Sequence, residues 1–121
     1  MVDKLQFIPE NIVSVVLHRA GLETLDDGVL SQVLGQAAQA HQIFSEFRPH
    51  PQYKDNPKLD QVLDTLLLGG SVIREGLTRR IRPAPHLLGE YGSGIYAGFT
   101  KGQQREIDKA AKILKERSTK I

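Results

Sequence analysis

The chain has 121 residues, of which 40% are hydrophobic and 25% are charged, a composition that argues against a disordered polymer and predicts one globular domain spanning residues 1–121. The sequence has no cysteine, which excludes a disulfide framework, a zinc–thiolate site and a cysteine nucleophile. No apolar run reaches the roughly 18 residues of a membrane span, and the first residues lack a charged-then-apolar leader, so we expect a cytoplasmic or otherwise intracellular protein without membrane contact.

Charge is distributed unevenly along the chain. Residues 1–70 carry five basic and nine acidic side chains, a net charge of −4, whereas residues 71–121 carry eleven basic and five acidic side chains, a net charge of +6. Two such halves can pair between copies in a homo-oligomer, or the basic half can bind an anionic partner.

The first predicted helix spans Pro9–Ala20. Proline is favoured at the first helical position, and Gly21 is a suitable C-cap. The β-branched run from Ile12 to Leu17 is also typical of a buried strand. Because no second strong strand lies nearby to pair with it, we expect a helix.

A longer helix is predicted from Thr24 to Phe47. Its apolar residues recur at steps of three and four and therefore share one helix face. Thr24 is a plausible N-cap, and Pro49 should end the helix because the residue before a proline avoids helical backbone angles. The residues on the apolar face are Leu30, Val33, Leu34, Ala37, His41 and Phe44.

The next helix should begin at Asn56 and Pro57, a preferred N-cap followed by a proline at the first helical position. Gly69 and Gly70 interrupt its apolar stripe, which resumes at Ile73, and we expect the helix to continue through the two glycines. The stripe is too wide for one neighbour, so part of it should lie exposed and mediate self-association. Its members are Leu59, Val62, Leu63, Leu66, Leu67, Gly70, Ile73 and Leu77.

The last predicted helix starts near Lys101. Thr100 and Gln103 have the spacing of a capping box, in which the two side chains satisfy each other's backbone N–H groups. The helix combines a narrow apolar stripe with basic residues on another side. The basic residues are Lys101, Arg105, Lys109 and Lys112.

Residues 82–100 are the irregular part of the chain. Pro83 and Pro85 indicate extended or turned backbone, and the glycines of Gly92-Ser93-Gly94 lie between two short apolar-aromatic runs, a pattern typical of a β-hairpin turn. The segment lacks the strand–turn–helix context of a dinucleotide-binding loop and the Gly-Lys-Ser/Thr ending of a phosphate-binding loop. The predicted fold class is therefore mostly α, a small three- to four-helix bundle with an irregular glycine-rich, hairpin-like excursion before the last helix.

Two groups of basic residues are candidates for binding an anion or a nucleic acid. One is the arginine cluster Arg79, Arg80 and Arg82, whose planar guanidinium groups suit phosphate recognition. The other is the basic side of the last helix, which would form one positive surface with the cluster if the excursion folds back. The alternative is that the arginines stabilise a helix C-terminus and are otherwise solvated.

A candidate protein interface combines the apolar stripe with the aromatic residues of the two loop regions, 48–57 and 82–100. Loops carry contacts to partners more often than packed helices do, and aromatic side chains are frequent anchors at interfaces. The residues are Leu67, Ile73, Tyr53, Tyr91, Tyr96 and Phe99.

The four histidines, His18, His41, His50 and His86, have no metal-ligand spacing. We expect no metal, no cofactor and no catalytic residues. The best-supported function is a non-enzymatic interaction or assembly subunit, acting as a homo-oligomer or within a larger protein complex. A nucleic-acid-binding accessory protein that uses the basic C-terminal half is the alternative, and a binder of a small phosphorylated ligand between Arg79–Arg82 and Gly92–Gly94 is a further one.

Overall fold

The computed structural model describes residues 8–48, 56–76 and 78–119. Its first helix, α1, spans Pro9–Ala20 as the sequence predicted, and Gly21 closes it in the left-handed conformation with φ 64°. The N–H of Gly21 donates to the carbonyl of Leu17 at 3.1 Å. Ile12 and the five residues after it are all buried, so α1 is surrounded by neighbours. Tertiary packing thus overrides the β propensity of this run.

The predicted helix from Thr24 to Phe47 is wrong at its start and broken near its end. Leu25–Asp26 forms a short strand, β1, and helix α2 spans Asp27–Ala40, capped by the Asp26 side chain instead of Thr24. At His41 the backbone becomes extended, with φ −133°, and a 3₁₀ helix, Gln42–Phe47, follows.

Helix α3 spans Pro57–Leu68. The predicted N-cap is confirmed, because the side chain of Asn56 accepts a hydrogen bond from the N–H of Leu59 at 3.2 Å. The predicted continuation through the glycines is wrong: Gly70 has φ 77°, a left-handed conformation that a helix interior does not contain.

A three-stranded antiparallel sheet follows α3 in place of the predicted helical continuation. Strand β2 spans Val72–Arg74 and β3 spans Arg80–Pro83, and the strand order is β1-β3-β2. Ile81, in the central strand, pairs with Leu25 of β1 and with Arg74 of β2. The hairpin in this chain is therefore β2–β3, and residues 71–83 are called the arginine hairpin below.

The segment after the hairpin is helical, so Gly92-Ser93-Gly94 is not a hairpin turn. Helix α4 spans Pro85–Leu88, α5 spans Glu90–Ala97 and α6 spans Lys101–Thr119. The predicted capping box of α6 is confirmed. The N–H of Thr100 donates to the side chain of Gln103 at 2.9 Å, and the N–H of Gln103 donates to the hydroxyl of Thr100 at 3.2 Å.

The mostly α fold class is confirmed, with one hydrophobic core in the described part of the chain. Helix α1 packs on α6, α5, α4 and α3, and α6 also packs on α2. One face of the sheet, with Leu25, Val72 and Ile81, joins this core, so the other face is turned away from it. Within the described ranges, no helix has the length and apolar character needed to cross a membrane.

Candidate functional site

The arginine hairpin carries four arginines and one glutamate, a net charge of +3. The structure divides the arginines into two pairs. Arg74 and Arg79 bind the carboxylate of Asp27, with N–O distances of 3.0 and 2.7 Å. We call these two the tied pair.

Asp27 is placed for this contact by the start of α2. Its side chain is only 11% exposed, and it lies in the first helical turn, where the helix dipole stabilises a carboxylate. Its backbone N–H also donates to the carbonyl of Arg79 at 2.9 Å. The main chain and two guanidinium groups therefore fix the end of β2 and the residue before β3 against the beginning of α2.

Arg80 and Arg82 form the open pair. They flank Ile81, which is fully buried, and alternate residues of a strand point to opposite faces. Both arginines are exposed, and neither side chain forms an ion pair within the part of the chain that the structure describes. Arg82 lies opposite Ile73, and Arg80 lies opposite Asp26. Arg80, Arg82, Ile73 and Asp26 make up what we call the open face of the sheet.

A groove with a volume of about 490 Å³ lies at the end of this face that Ile73 and Arg82 form. Ile73, Pro85 and Leu88 give it apolar walls, and Arg82 and Glu23 contribute one charge of each sign. The exposed fraction of Ile73 is 40%, so the groove offers accessible apolar surface beside a guanidinium group.

Two aromatic rings continue this surface beyond the groove. The rings of His86 and Tyr91 meet edge to face with their centroids 5.5 Å apart, and His86 Nε2 makes a long contact of 3.5 Å with Ser71 Oγ. His86 lies in α4 between Pro85 and Leu88, which both line the groove. Tyr91 is 51% exposed. We call His86 and Tyr91 the aromatic pair.

The basic residues of α6 lie on a different element. All four predicted contact residues on this helix are exposed. Helix α6 packs mainly against α1 and α2, whereas the arginine hairpin is bound to the first turn of α2 through the tied pair. That the two basic groups form one positive surface stays a prediction. The four are Lys101, Arg105, Lys109 and Lys112.

Tyr96, predicted as an interface residue, belongs to an internal network. Its hydroxyl donates to the carboxylate of Asp108 at 2.9 Å, and Arg19 donates to the same carboxylate at 2.8 Å. The guanidinium carbon of Arg19 lies 4.6 Å from the centre of the Tyr96 ring. Burial, and then the hydrogen bond to Asp108, raises the pKa of Tyr96, and the hydrogen bond to Asp108 raises the pKa of Arg19. This network joins α1, α5 and α6, and neither Arg19 nor Asp108 was among the residues predicted from the sequence to form a site.

The other predicted interface residues divide between core and surface. Phe99 is 4% exposed and is corrected from a surface anchor to a core residue, because it packs within the hydrophobic core. Leu67 is half-buried against that core. Ile73 and Tyr91 are exposed as predicted, and Tyr53 lies outside the described residues.

The glycine segment has a packing role. A Cβ added at Gly92 would lie 2.7 Å from the ring of His18 and would also clash with the carbonyl oxygen of Leu87. The same His18 ring contacts that carbonyl at 3.2 Å. Gly92 therefore lets α5 approach α1 closely, and Gly94 lies inside the same helix. Neither glycine lies in a loop that could surround a phosphate, which removes the main support for the small-ligand alternative.

The histidines of the described part of the chain have separate neighbours. His18 contacts the Leu87 carbonyl, His86 contacts Ser71, and His41 Nδ1 lies 3.5 Å from the carboxylate of Glu106. Within the described residues, no three histidine, aspartate or glutamate side chains converge as a metal site would require.

Comparisons with protein-family models, with curated proteins and with solved structures found no match for this chain.

Proposed function

We propose that this chain is a nucleic-acid-binding accessory protein that contacts the phosphate backbone with the open face of its arginine hairpin. The observation that supports this proposal is the open pair: two guanidinium groups, exposed on one sheet face and without an ion pair among the described residues. Guanidinium groups bind phosphate oxygens through two parallel hydrogen bonds. Phosphate contacts supply most of the affinity for nucleic acid when no particular sequence is recognised.

The geometry of the hairpin favours the same function. The hairpin is the outer part of a three-stranded sheet whose opposite face packs on the core. The tied pair binds the end of β2 and the residue before β3 to α2, so the open pair is presented on a fixed support. Ordering the contact groups before binding lowers the entropy lost on association.

The order of the elements adds an argument by analogy. Apart from the 3₁₀ helix between α2 and α3, the order is a helix, a strand, two helices and a hairpin that closes on the first strand. This is the connectivity of a winged helix-turn-helix domain, a likeness of fold and not of site. In helix-turn-helix proteins the second helix contacts the bases. Here α3 exposes Asp60 and Asp64, carboxylates that phosphates repel. The charges therefore favour the hairpin over α3 as the contact surface.

We propose a binding protein that acts in the cytoplasm and is not an enzyme. The non-enzymatic role follows from the function proposed for the open face, which requires phosphate contacts but no reacting group. The absence of cysteine from the sequence is compatible with a reducing compartment.

Fluorescence anisotropy with a labelled duplex and its single strand, at low and moderate salt, tests the proposal. We expect binding that weakens with salt, with a log–log slope of about −0.9 per duplex phosphate contact or about −0.7 per single-strand contact. Replacing both Arg80 and Arg82 by glutamine should lower the affinity and make this slope shallower. The matched control is the replacement of Lys101 and Lys109 by glutamine, which removes the same charge from α6.

Two results would contradict the proposal. One is the absence of salt-dependent binding to either nucleic acid. The other is a loss of binding in the α6 variant while the Arg80/Arg82 variant binds like the wild type, because that would place the interface on the helix.

Assembly, either with further copies of the chain or within a larger complex, remains the second candidate function. Most of the apolar stripe that suggested it is buried inside the molecule, including Leu59, Val62 and Leu63. Leu68 at the end of α3 is the specific observation that still favours it, with 91% of its surface exposed. Sedimentation of the wild type and of Leu68→Asp tests this candidate. A wild-type oligomer that dissociates in the variant would support it, and a wild-type monomer at micromolar concentration would refute it.

A further inference from the structure

The aromatic pair lies next to the open face, although the two come from separate stretches of sequence. Ile73 and Arg82 are paired across β2 and β3, and both line the groove. Pro85 and Leu88 of α4 line the same groove, His86 lies in α4 between them, and Tyr91 packs against the ring of His86. The exposed guanidinium group of Arg82 and the exposed ring of Tyr91 therefore lie at the two ends of one stretch of surface.

Duplex and single-stranded nucleic acids make different demands on such a surface. In a duplex the bases are stacked and paired, so a protein that contacts only the backbone needs positive charge but no aromatic ring. In a single strand the base faces are free, and they stack on exposed aromatic side chains beside a positively charged groove. An exposed tyrosine near two exposed arginines that form no ion pair among the described residues matches the second case.

The exposure of the aromatic pair is consistent with this role. His86 meets the Tyr91 ring edge to face, and 51% of the surface of Tyr91 remains accessible. The ring of Tyr91 can stack on a base, and the guanidinium group of Arg82 can bind a phosphate. Glu23 is the opposing charge in the groove, and its carboxylate repels a phosphate bound by Arg82.

We infer that the chain binds single-stranded nucleic acid, with an unpaired base stacked on Tyr91 and the adjoining phosphates held by Arg80 and Arg82. This inference rests on the proposed function and narrows its ligand to unpaired strands. Stacking on a tyrosine does not depend on the sugar, so DNA and RNA single strands are separate arms of the test.

The experiment is a set of anisotropy titrations at one salt concentration with a single strand of DNA, the same sequence as RNA, and the DNA duplex. We expect either or both single strands to bind more tightly than the duplex. Tyr91→Ala should weaken single-strand binding by about tenfold, the size of a typical base–aromatic stacking contribution, and leave duplex binding unchanged. Tyr91→Phe is the matched control, because it keeps the ring and should bind like the wild type.

Glu23→Gln supplies a second variant that does not touch the aromatic pair. Removing this carboxylate from the groove should tighten single-strand binding. Equal affinities for the duplex and both single strands, with no effect of Tyr91→Ala, would overturn the inference while leaving the proposed function intact. No binding to any of the three would refute the proposed function itself.

Discussion

Single residues determine where the arginine hairpin lies. Asp27 joins the hairpin to α2 through two guanidinium groups and a backbone hydrogen bond. Replacing Asp27 by asparagine removes the charge that both arginines share, so we expect the free energy of unfolding to fall by about 1–3 kcal/mol. Urea denaturation measures this change. Asp64→Asn on the exposed side of α3 is the control and should change stability by less than about 0.5 kcal/mol; equal effects of the two variants would contradict the role of Asp27.

Gly92 and Gly94 differ in what an added methyl group would contact. At Gly92 it meets the His18 ring and the Leu87 carbonyl, whereas at Gly94 nothing lies within 4 Å. We expect Gly92→Ala to destabilise the fold by about 1–3 kcal/mol through overpacking. Gly94→Ala, in the same helix, should stabilise it by about 0.5–1 kcal/mol. Thermal unfolding of the two variants distinguishes them, and a stable Gly92→Ala protein would show that α5 does not approach α1 as closely as described.

Tyr96 predicts how stability changes at alkaline pH. Burial and the hydrogen bond to Asp108 raise its pKa above the ordinary value of 10.0. The unfolded chain therefore loses the phenol proton first, and the free energy of unfolding should decrease as the pH rises above that value. Tyr96→Phe should remove this part of the decrease in urea titrations up to about pH 11, and Tyr91→Phe serves as a control for a lost hydroxyl. Parallel pH profiles for the wild type and Tyr96→Phe would contradict the assignment.

At the scale of elements, the sequence correctly predicted the helix ends that are capped by residues close by in the chain. Asn56 and the capping box at Thr100 are caps whose partners lie within three residues, and Gly21 closes α1 in the same local way. The start of α2 was missed because Leu25 is drawn into a strand by Ile81, 56 positions along the chain. Strand pairing between residues so far apart in sequence does not change the helical spacing of apolar residues around Leu25, so that spacing could not predict it.

The hairpin was overlooked although its sequence carries a sign of it. Arg80-Ile81-Arg82 alternates polar and apolar residues, as a half-buried strand does, but the apolar residues at spacings of three and four before it favoured a longer helix. The contact between His86 and Ser71 and the network of Arg19, Tyr96 and Asp108 bring together residues from different elements. Their assembly follows from the packing, which sequence patterns do not encode locally.

Alanine substitution at the end of α3 distinguishes a helix that ends before Gly70 from one that continues through it, because the two predict opposite changes in stability. Gly70 and Gly76 have φ 77° and 61°, so an alanine at either position should cost about 1–2 kcal/mol. In the continuous helix that the sequence suggested, the same change at Gly70 would stabilise by about 1 kcal/mol. Chemical denaturation of Gly70→Ala decides between them. Gly69→Ala is the control, because Gly69 has a negative φ of −81°, which alanine adopts without strain, and stability should change little or not at all.

At the scale of the whole molecule, the fold separates charge that the sequence presents as one basic half. Part of it is neutralised internally, as in the pairs of Asp27 with Arg74 and Arg79. The other basic residues that the structure describes between residues 71 and 119 lie on two elements, the open face and α6. The net charge of residues 71–121 therefore overstates the positive charge that a polyanion would meet. The position of the exposed guanidinium groups matters more than their number.

The measurement that tests the central claim most directly is an amide chemical-shift titration of the labelled full chain with a single-stranded oligonucleotide. The proposed interface predicts that the signals whose shifts change belong to residues 71–76, 78–83 and 86–91. These shift changes should disappear when Arg80 and Arg82 are both replaced by glutamine. Signals that stay unperturbed throughout the titration, or that move only within residues 101–119, would contradict it.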